Sequence, residues 1–195
     1  MARTGVVVVS YNSAADLRAC LESVLAASSV TRAVVVDNAS RDASVAAATA
    51  LGSPRVTVVP LRRNLGYAGG ANRGFGELGA EVDVVAFANP DVRLTPDCLC
   101  RCAEVLAAEP ELAGVAPRLM RPDGTTVDSV GQVLASTTLE VRDVGYGRPV
   151  DGGLLEPRPV LAACGALAVF RRSALVEASE GDGPFAGHYF CFWED

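Results

Sequence analysis

The chain has 195 residues, half of them hydrophobic, enough to bury one substantial core, and a single domain over 1–195 is expected. A formal net charge of -6 argues against affinity built on neutralising phosphate backbones, so no nucleic-acid partner is expected. No apolar stretch reaches the roughly 20 residues that span a bilayer. Met1–Gly5 runs into a strand-like segment without a signal peptide, so the expected location is cytoplasmic, free or peripheral at the inner face of the plasma membrane.

In chain order, Val6–Val9 is a β-branched run closed by Ser10-Tyr11-Asn12, the pattern of a buried parallel strand entering a loop. Ser13 and Asp16 form an S-x-x-D helix start, and Leu17, Cys20, Leu21, Val24 and Leu25 then recur at helical spacing. The unit repeats: Ala33–Val36 is strand-like, Asp37-Asn38-Ala39-Ser40 turns, and Asp42–Leu51 reads as a helix ended by Gly52. Val56–Val59 is a third strand, followed by a Gly-rich loop over Asn64–Gly79 that runs into a helix of small residues. Val82–Ala88 is a fourth strand, closed by Asn89-Pro90-Asp91. Thr95 as N-cap and Pro96 at the first helical position open a helix to about Ala108, stopped by Pro110.

After Gly114 the rhythm changes. Val115–Leu119, an Asp123-Gly124 turn and Thr125–Val127 predict a hairpin, and the stretch from Gly131 to Pro159 carries no clear element signal. Val160–Phe170 is strand-like, and Phe185–Asp195 is aromatic and ends in two acids. Strands alternating with helices predict an α/β fold, a doubly wound and mostly parallel sheet with ligands beyond the carboxyl ends of its strands.

Lys and Ile are absent and Arg, Ala, Gly and Val abound, as a G+C-rich genome would impose. The pairs Arg62-Arg63 and Arg171-Arg172 are therefore read as solvated charge rather than phosphate clamps. All Asn residues (Asn12, Asn38, Asn64, Asn72, Asn89) fall in the first half, near strand ends or in the Gly-rich segment, where a short amide suits a turn and can also read a ligand. The six Cys form no C-x-x-C pair and His188 is the single His, which predicts buried, reduced thiols rather than a zinc site.

In a parallel sheet, Ser10-Tyr11-Asn12, Asp37-Asn38 and Asn89-Pro90-Asp91 would line one edge, where a nucleotide could lie. A carboxylate such as Asp37 can accept from a base N–H, and Asp91 can offer an oxygen to a hard cation bridging a diphosphate. Taken singly, each of these residues is as well explained as a turn former or helix cap. Their coincidence on one edge is what points to a site.

The ordered set VVVVSYN, VVVDNASRD, NLGYAGGANRGF, VVAFANPDVRL and FCFWED resembles the inverting family-2 glycosyltransferases, the rhamnosyltransferase-like members most of all. The resemblance implies a GT-A-type fold, with a Rossmann-like nucleotide-sugar-binding part over 1–114 and a partial acceptor-side part over 115–195. It implies that Ser10, Tyr11 and Asn12 border the nucleoside, that Asp37 binds the base, and that Asn72 lies near the donor phosphates or sugar. Asn89 and Asp91 would stand in for the D-x-D signature, Asp91 holding Mg²⁺ or Mn²⁺, and Glu194 and Asp195 would form the acidic pair, with Asp195 as general base. The implied partners are a nucleoside-diphosphate sugar, a dTDP- or UDP-sugar with rhamnose as the expected sugar, and the hydroxyl of a glycan or lipid-linked acceptor in cell-envelope polysaccharide synthesis. The chain departs from the family at Asn89, where the first acid of D-x-D is expected, and at Ala186-Gly187, where relatives carry Asp-Glu. Relatives also continue past the acidic pair to a His that completes the metal site, so the domain is expected to be incomplete at its C-terminus.

Two other readings stand beside this one. Gly74, Gly76 and Gly79 spell the G-x-G-x-x-G of a dinucleotide site, but Asn64–Arg73 separates them from the preceding strand, so the context fails. A non-catalytic nucleotide-sugar-binding fragment or degenerate paralogue would share every donor-side residue. The aromatic residues Tyr189, Phe190, Phe192 and Trp193 suit either a sugar platform or core packing.

Overall fold

The Val-rich run near the start is strand β1 (Thr4–Ser10), buried along its whole length in the computed structural model, which describes residues 2–188. It is buried because it is central. It pairs in parallel with β2 (Val30–Asp37) on one side and with β4 (Val84–Ala88) on the other, while β3 (Val56–Pro60) extends the sheet beyond β2. Helices α1 (Ala14–Ala26), α2 (Ser44–Thr49), α3 (Gly66–Glu77) and α4 (Cys98–Ala108) connect and follow these strands. The chain continues through β5 (Gly114–Val115), β6 (Leu119–Met120), β7 (Val127–Ser129), β8 (Gln132–Leu134), β9 (Val141–Asp143), α5 (Gly152–Leu155), β10 (Leu167–Arg171) and α6 (Arg172–Ala178).

Among the described residues the main sheet runs β3-β2-β1-β4-β10-β5, with β10 antiparallel to both of its neighbours. The fold is thus α/β with a mostly parallel sheet, as the sequence predicts. Its two faces bury separate apolar clusters. One gathers Val6 and Val8 of β1 with Leu17, Leu21 and Val24 of α1 and Leu99 and Leu106 of α4. The other gathers Val7, Val9, Val34 and Val36 with Ala68, Ala71 and Phe75 of α3, and with Leu175 and Phe185. Alternate β1 side chains feed opposite faces, which is why the strand reads as a continuous Val run.

Helix α3 lies very close to the sheet because two of its glycines face it. A Cβ on Gly74 would sit 2.3 Å from Val7 Cγ1, and one on Gly70 would sit 2.7 Å from Val9 Cγ1. The apparent dinucleotide motif is therefore partly a packing device: Gly74 meets β1, whereas a Cβ on Gly76 would meet nothing within 4 Å.

Several local expectations are corrected. The S-x-x-D start of α1 does not form a capping box. Ser13 Oγ donates to the Tyr11 carbonyl, Asp16 pairs with Arg93, and Asp42, delivered by the β2–α2 loop, accepts from Ala14 N at 3.0 Å. Helix α4 begins at Cys98 rather than at Thr95, because Thr95 Oγ1 donates to Asp97 and its carbonyl accepts from Cys98 N in a preceding turn. The hairpin keeps its Asp123-Gly124 turn, with Gly124 at φ +69°, but its strands are β6 and β7; Val115 belongs to β5 in the main sheet, with Pro117 between the two. Of the Val160–Phe170 run only the part from Leu167 is strand, and it continues as β10 to Arg171. Nor is Arg171-Arg172 a solvated pair: Arg171 donates to the carbonyls of Leu106, Glu109 and Leu112 around the end of α4, and the Arg172 guanidinium lies 4.9 Å from the centre of the Phe75 ring.

Of the thiols described, Cys20 and Cys102 are buried and Cys98, Cys100 and Cys164 are half-buried; Cys191 lies outside the described residues. Burial pushes the Cys20 thiol up to about 12. The Cys98–Cys102 hydrogen bond lowers Cys98 and raises Cys102.

Gly74→Ala should destabilise the fold by about 1–3 kcal/mol through overpacking against Val7, while Gly76→Ala should be neutral or stabilising by up to about 1 kcal/mol; urea unfolding of the two variants checks the contrast. In native protein at pH 8, iodoacetamide should label Cys98 well before Cys20 and Cys102, read by peptide mass mapping; equal labelling rates would contradict this ordering of the thiols.

Candidate active site at the carboxyl ends of β1, β2 and β4

Parallel register decides which residues share the sheet's carboxyl edge. Ser10 stands opposite Asp37, and Val8 stands opposite Ala88, the last residue before Asn89. The chain steps outward from β1 to β2 to β3 and then returns to the other side of β1 as β4, so the crevice beyond β1 and β4 is the point where the winding reverses.

The loops around this crevice are fastened to one another by side chains. Asn12 and Ala39 hold left-handed backbones at φ +52° and +62°. For residues other than Gly such conformations cost about 1–3 kcal/mol each and need external support. Here Arg41 N donates to Asn12 Oδ1 at 2.8 Å, and Asn12 N donates to Ser40 Oγ at 2.9 Å. The Asp37 carboxylate in turn accepts from Ser40 N at 2.9 Å and from Ser40 Oγ at 2.5 Å. Asn38 links this loop to α3, its Nδ2 donating to the Gly66 carbonyl at 2.9 Å and its Oδ1 accepting from Leu65 N at 3.2 Å.

These loops enclose an open cleft of about 520 Å³. Tyr11, Asn12 and Asp16 line it from the β1–α1 side, and Asn89, Pro90 and Asp91 line it from the end of β4. Asn38, Asn64, Gly66 and Tyr67 complete the wall, which brings the N-terminus of α3 to the cleft. A helix N-terminus carries partial positive charge, which suits an anion; at this one Leu65 N already donates to Asn38 and Gly66 N to Asn64 Oδ1 at 2.8 Å.

The residues singled out from the sequence divide into three groups. Tyr11, Asn12, Asn89 and Asp91 line the cleft, and Tyr11 is 49% exposed. Ser10 is fully buried, Asp37 is 2% exposed and Asn72 is 6% exposed, and none of the three contributes to the lining. Glu194, Asp195 and the aromatic residues Tyr189, Phe190, Phe192 and Trp193 lie outside the described residues. Asp16 and Tyr67 were not picked out as site residues from the sequence. Asp16 reads there as a helix-start acid, and nothing in the spacing of Tyr67 tells which end of the sheet the start of α3 will reach.

The charges around Asp91 are uneven. Asp16 is paired with Arg93 at 3.1 Å, whereas the exposed Asp91 carboxylate has no hydrogen-bond or ion-pair partner among the described residues. Beneath it the buried Cys20 thiol donates to the Asn89 carbonyl at 3.5 Å. No group of three or more His, Cys, Asp or Glu side chains converges among the described residues. One free carboxylate beside an amide fits a hard cation that draws its remaining oxygens from ligand phosphates and water, as Mg²⁺ commonly does.

Residues 5–178 match the family described as "Glycosyl transferase family 2". The chain is 40% identical over 99 residues to the succinoglycan biosynthesis protein ExoO of Rhizobium meliloti, a match covering 50% of this chain and 28% of that protein. It is 28% identical over 210 aligned positions to an N-acetylglucosaminyl-diphospho-decaprenol L-rhamnosyltransferase of Mycobacterium tuberculosis, covering 97% of this chain and 67% of that one. Among solved structures, the mannosyltransferase PcManGT from Pyrobaculum calidifontis, in complex with GDP-Man and Mn²⁺, aligns with a TM-score of 0.61 at 20% identity, over 88% of this chain and 45% of its own. TarS 1-349 from S. aureus aligns with a TM-score of 0.57 at 18% identity, over 88% of this chain and 47% of its own. The chain thus spans under a third of ExoO, about two thirds of the rhamnosyltransferase and under half of either solved structure. The family match over most of the length, together with a GT-A-like sheet whose cleft opens at the reversal of winding, places this chain in glycosyl transferase family 2.

Proposed function

We propose that the cleft binds a nucleoside-diphosphate sugar and that the protein transfers the sugar, with inversion, to a hydroxyl of a glycan or lipid-linked acceptor. The observation that carries this reading is the unpartnered Asp91 carboxylate, set beside Asn89 at the point where the winding reverses and across from the N-terminus of α3. A diphosphate lying there would have its charge met from two sides, by the positive end of the α3 dipole and by a cation on Asp91.

In this reading Tyr11 and Asn12 border the nucleoside. Asp37 takes the base, its carboxylate already held by Ser40 and keeping lone pairs that Ser40 does not use. Ser10 lies next to it in register, fully buried, its hydroxyl without a hydrogen-bond partner among the described residues. Asn89, with an amide in place of a carboxylate, suits the sugar hydroxyls and adds no second negative charge. Asp91 holds Mg²⁺ or Mn²⁺, which when bound would neutralise charge building up on the departing diphosphate. Asp195 takes the proton of the attacking hydroxyl, with Glu194 beside it, a role worth about 10²- to 10⁴-fold in rate. Attack on the face opposite the leaving group inverts the anomeric carbon. The rhamnosyltransferase relative supports rhamnose as the first sugar to test and a polyprenyl-diphosphate sugar as the first acceptor, and the resemblance read from the sequence puts a thymidine nucleotide first and a uridine nucleotide second as the carrier. Such an acceptor would place the protein at the inner face of the plasma membrane, although none of its described helices is long and apolar enough to cross one.

Calorimetry with nucleoside diphosphates, with and without Mn²⁺, separates the two donor-side roles. Asp91→Ala should abolish the Mn²⁺-dependent part of the affinity and leave the metal-free part intact; unchanged Mn²⁺ dependence would remove Asp91 from the metal role. Asp37→Asn, which keeps the shape of the side chain, should weaken binding about 10- to 100-fold with or without metal, the worth of one charge-assisted hydrogen bond. Nucleotide binding without product from any acceptor would mark a binding protein rather than a transferase.

A further inference from the structure

The chain from Asn89 to Leu94, just after β4, is fastened to α1 at three points. Asp16, Cys20 and Ser23 follow one another at helical spacing and form one stripe of that helix. The Cys20 thiol donates to the Asn89 carbonyl at 3.5 Å, Ser23 Oγ accepts from Leu94 N at 3.1 Å, and Arg93 Nη2 donates to Asp16 Oδ1 at 3.1 Å. The first two bonds are half-buried and hold the backbone at both ends of the loop. The third joins side chains that are 43% and 53% exposed, and an ion pair of that kind adds little to stability. The loop is fixed without it, so what the pair contributes is charge.

Charge on the cleft wall has one sign. Asp16 and Asp91 are its acids, Asn89 adds only an amide, and among the described residues no Arg, Lys or His lines it. Two uncompensated carboxylates would repel a diphosphate and attract a divalent cation that arrives alone. Arg93 removes one of them. With its guanidinium on Asp16, and held to its own loop by the Val92 carbonyl, Asp91 is the single uncompensated carboxylate of the wall. The three charges share one neighbourhood: the buried Cys20 thiol, raised chiefly by burial, is also lowered by Arg93 and raised by Asp91 and Asp16. A lone carboxylate is a poor site for a bare Mg²⁺ or Mn²⁺, but it can complete the shell of a cation already carried on phosphates.

We propose that Arg93 sets the charge class of the ligand. By neutralising Asp16 it makes the cleft a receptor for the complex of a divalent cation with a nucleoside diphosphate, in preference to the cation alone. Arg93 acts through Asp16, without contact to phosphate or metal. The inference rests on the reading of the cleft as a nucleoside-diphosphate site with Asp91 as its metal ligand.

The test uses the full chain, unaltered and as Arg93→Gln, Asp16→Asn and the double variant. Each is titrated with Mn²⁺ alone, followed by loss of the free-ion EPR signal. Calorimetry then measures dTDP or UDP with Mn²⁺, whichever binds, and the matching nucleoside. In Arg93→Gln the affinity for the nucleoside diphosphate should fall about 3- to 5-fold and that for Mn²⁺ alone should rise about as much, while the nucleoside stays within about twofold. Adding Asp16→Asn should reverse both changes, because no charge is then left to compensate. The loss in Arg93→Gln should shrink below about twofold in 1 M NaCl, where the Debye length is about 3 Å. Equal losses for nucleoside and nucleoside diphosphate would overturn the proposal and make Arg93 an element of the fold. A double variant as weak as Arg93→Gln would overturn it too, since Arg93 would then act on the ligand directly. If the unaltered protein binds no nucleoside diphosphate, the functional reading fails by itself, and the Mn²⁺ titration still decides: a gain in Arg93→Gln that Asp16→Asn cancels supports compensation, and an unchanged affinity refutes it.

Discussion

Strand β1 has both edges paired and both faces covered, and the geometry of the site descends from that confinement. A parallel strand with neighbours on both sides fixes where β2 and β4 must end, so Ser10, Asp37 and Asn89 reach one edge whatever their side chains prefer. The faces of β1 also set how near its helices can come. Val7 and Val9 leave so little room that α3 can lie against them only because Gly70 and Gly74 carry no Cβ. That close docking brings the start of α3 to the cleft and holds Asn72 against Phe185.

The carboxyl edge is built from strained and polar parts that support one another. Left-handed Asn12 and Ala39 would not persist alone, and the bonds among Asn12, Ser40, Arg41 and Asp37 hold them. Preorganisation of this kind matters for a flexible, highly charged ligand, because groups already aimed need not be ordered when it binds. It also explains why buried polar residues gather here. Asp37 is satisfied by Ser40, Ser44 by Asp42 and Asn38 by the start of α3, and of the two acids on the cleft wall Asp16 is paired with Arg93 while Asp91 has no partner among the described residues.

The part of the chain from Gly114 onward shares in the main sheet instead of standing apart. β10 runs antiparallel beside β4 and carries β5 outside it, while Arg171 at its end caps α4. Asn89 N donates to the Ala166 carbonyl, so the turn after β4 is braced by the segment leading into β10.

The sequence by itself determined the alternation of strands and helices, the parallel sheet and the edge on which the polar strand ends would gather. Those follow from local patterning: β-branched runs, glycine stops and polar turns act over a few residues. The same signals placed Tyr11, Asn12, Asn89 and Asp91 on the cleft. Local signals misled where a residue's partner came from far along the chain. Ser13 and Asp16 spell a cap, but Asp42 supplies it. Arg171 and Arg172 read as solvated charge, but a helix end and an aromatic ring take them. Only the tertiary structure decided that Asp37 is held by Ser40, that Asp16 and Tyr67 face the cleft, and that Asn72 turns to Phe185. In each case the competing partners are chemically equivalent hydrogen-bond groups, and packing alone settles which of them comes within 3 Å or so.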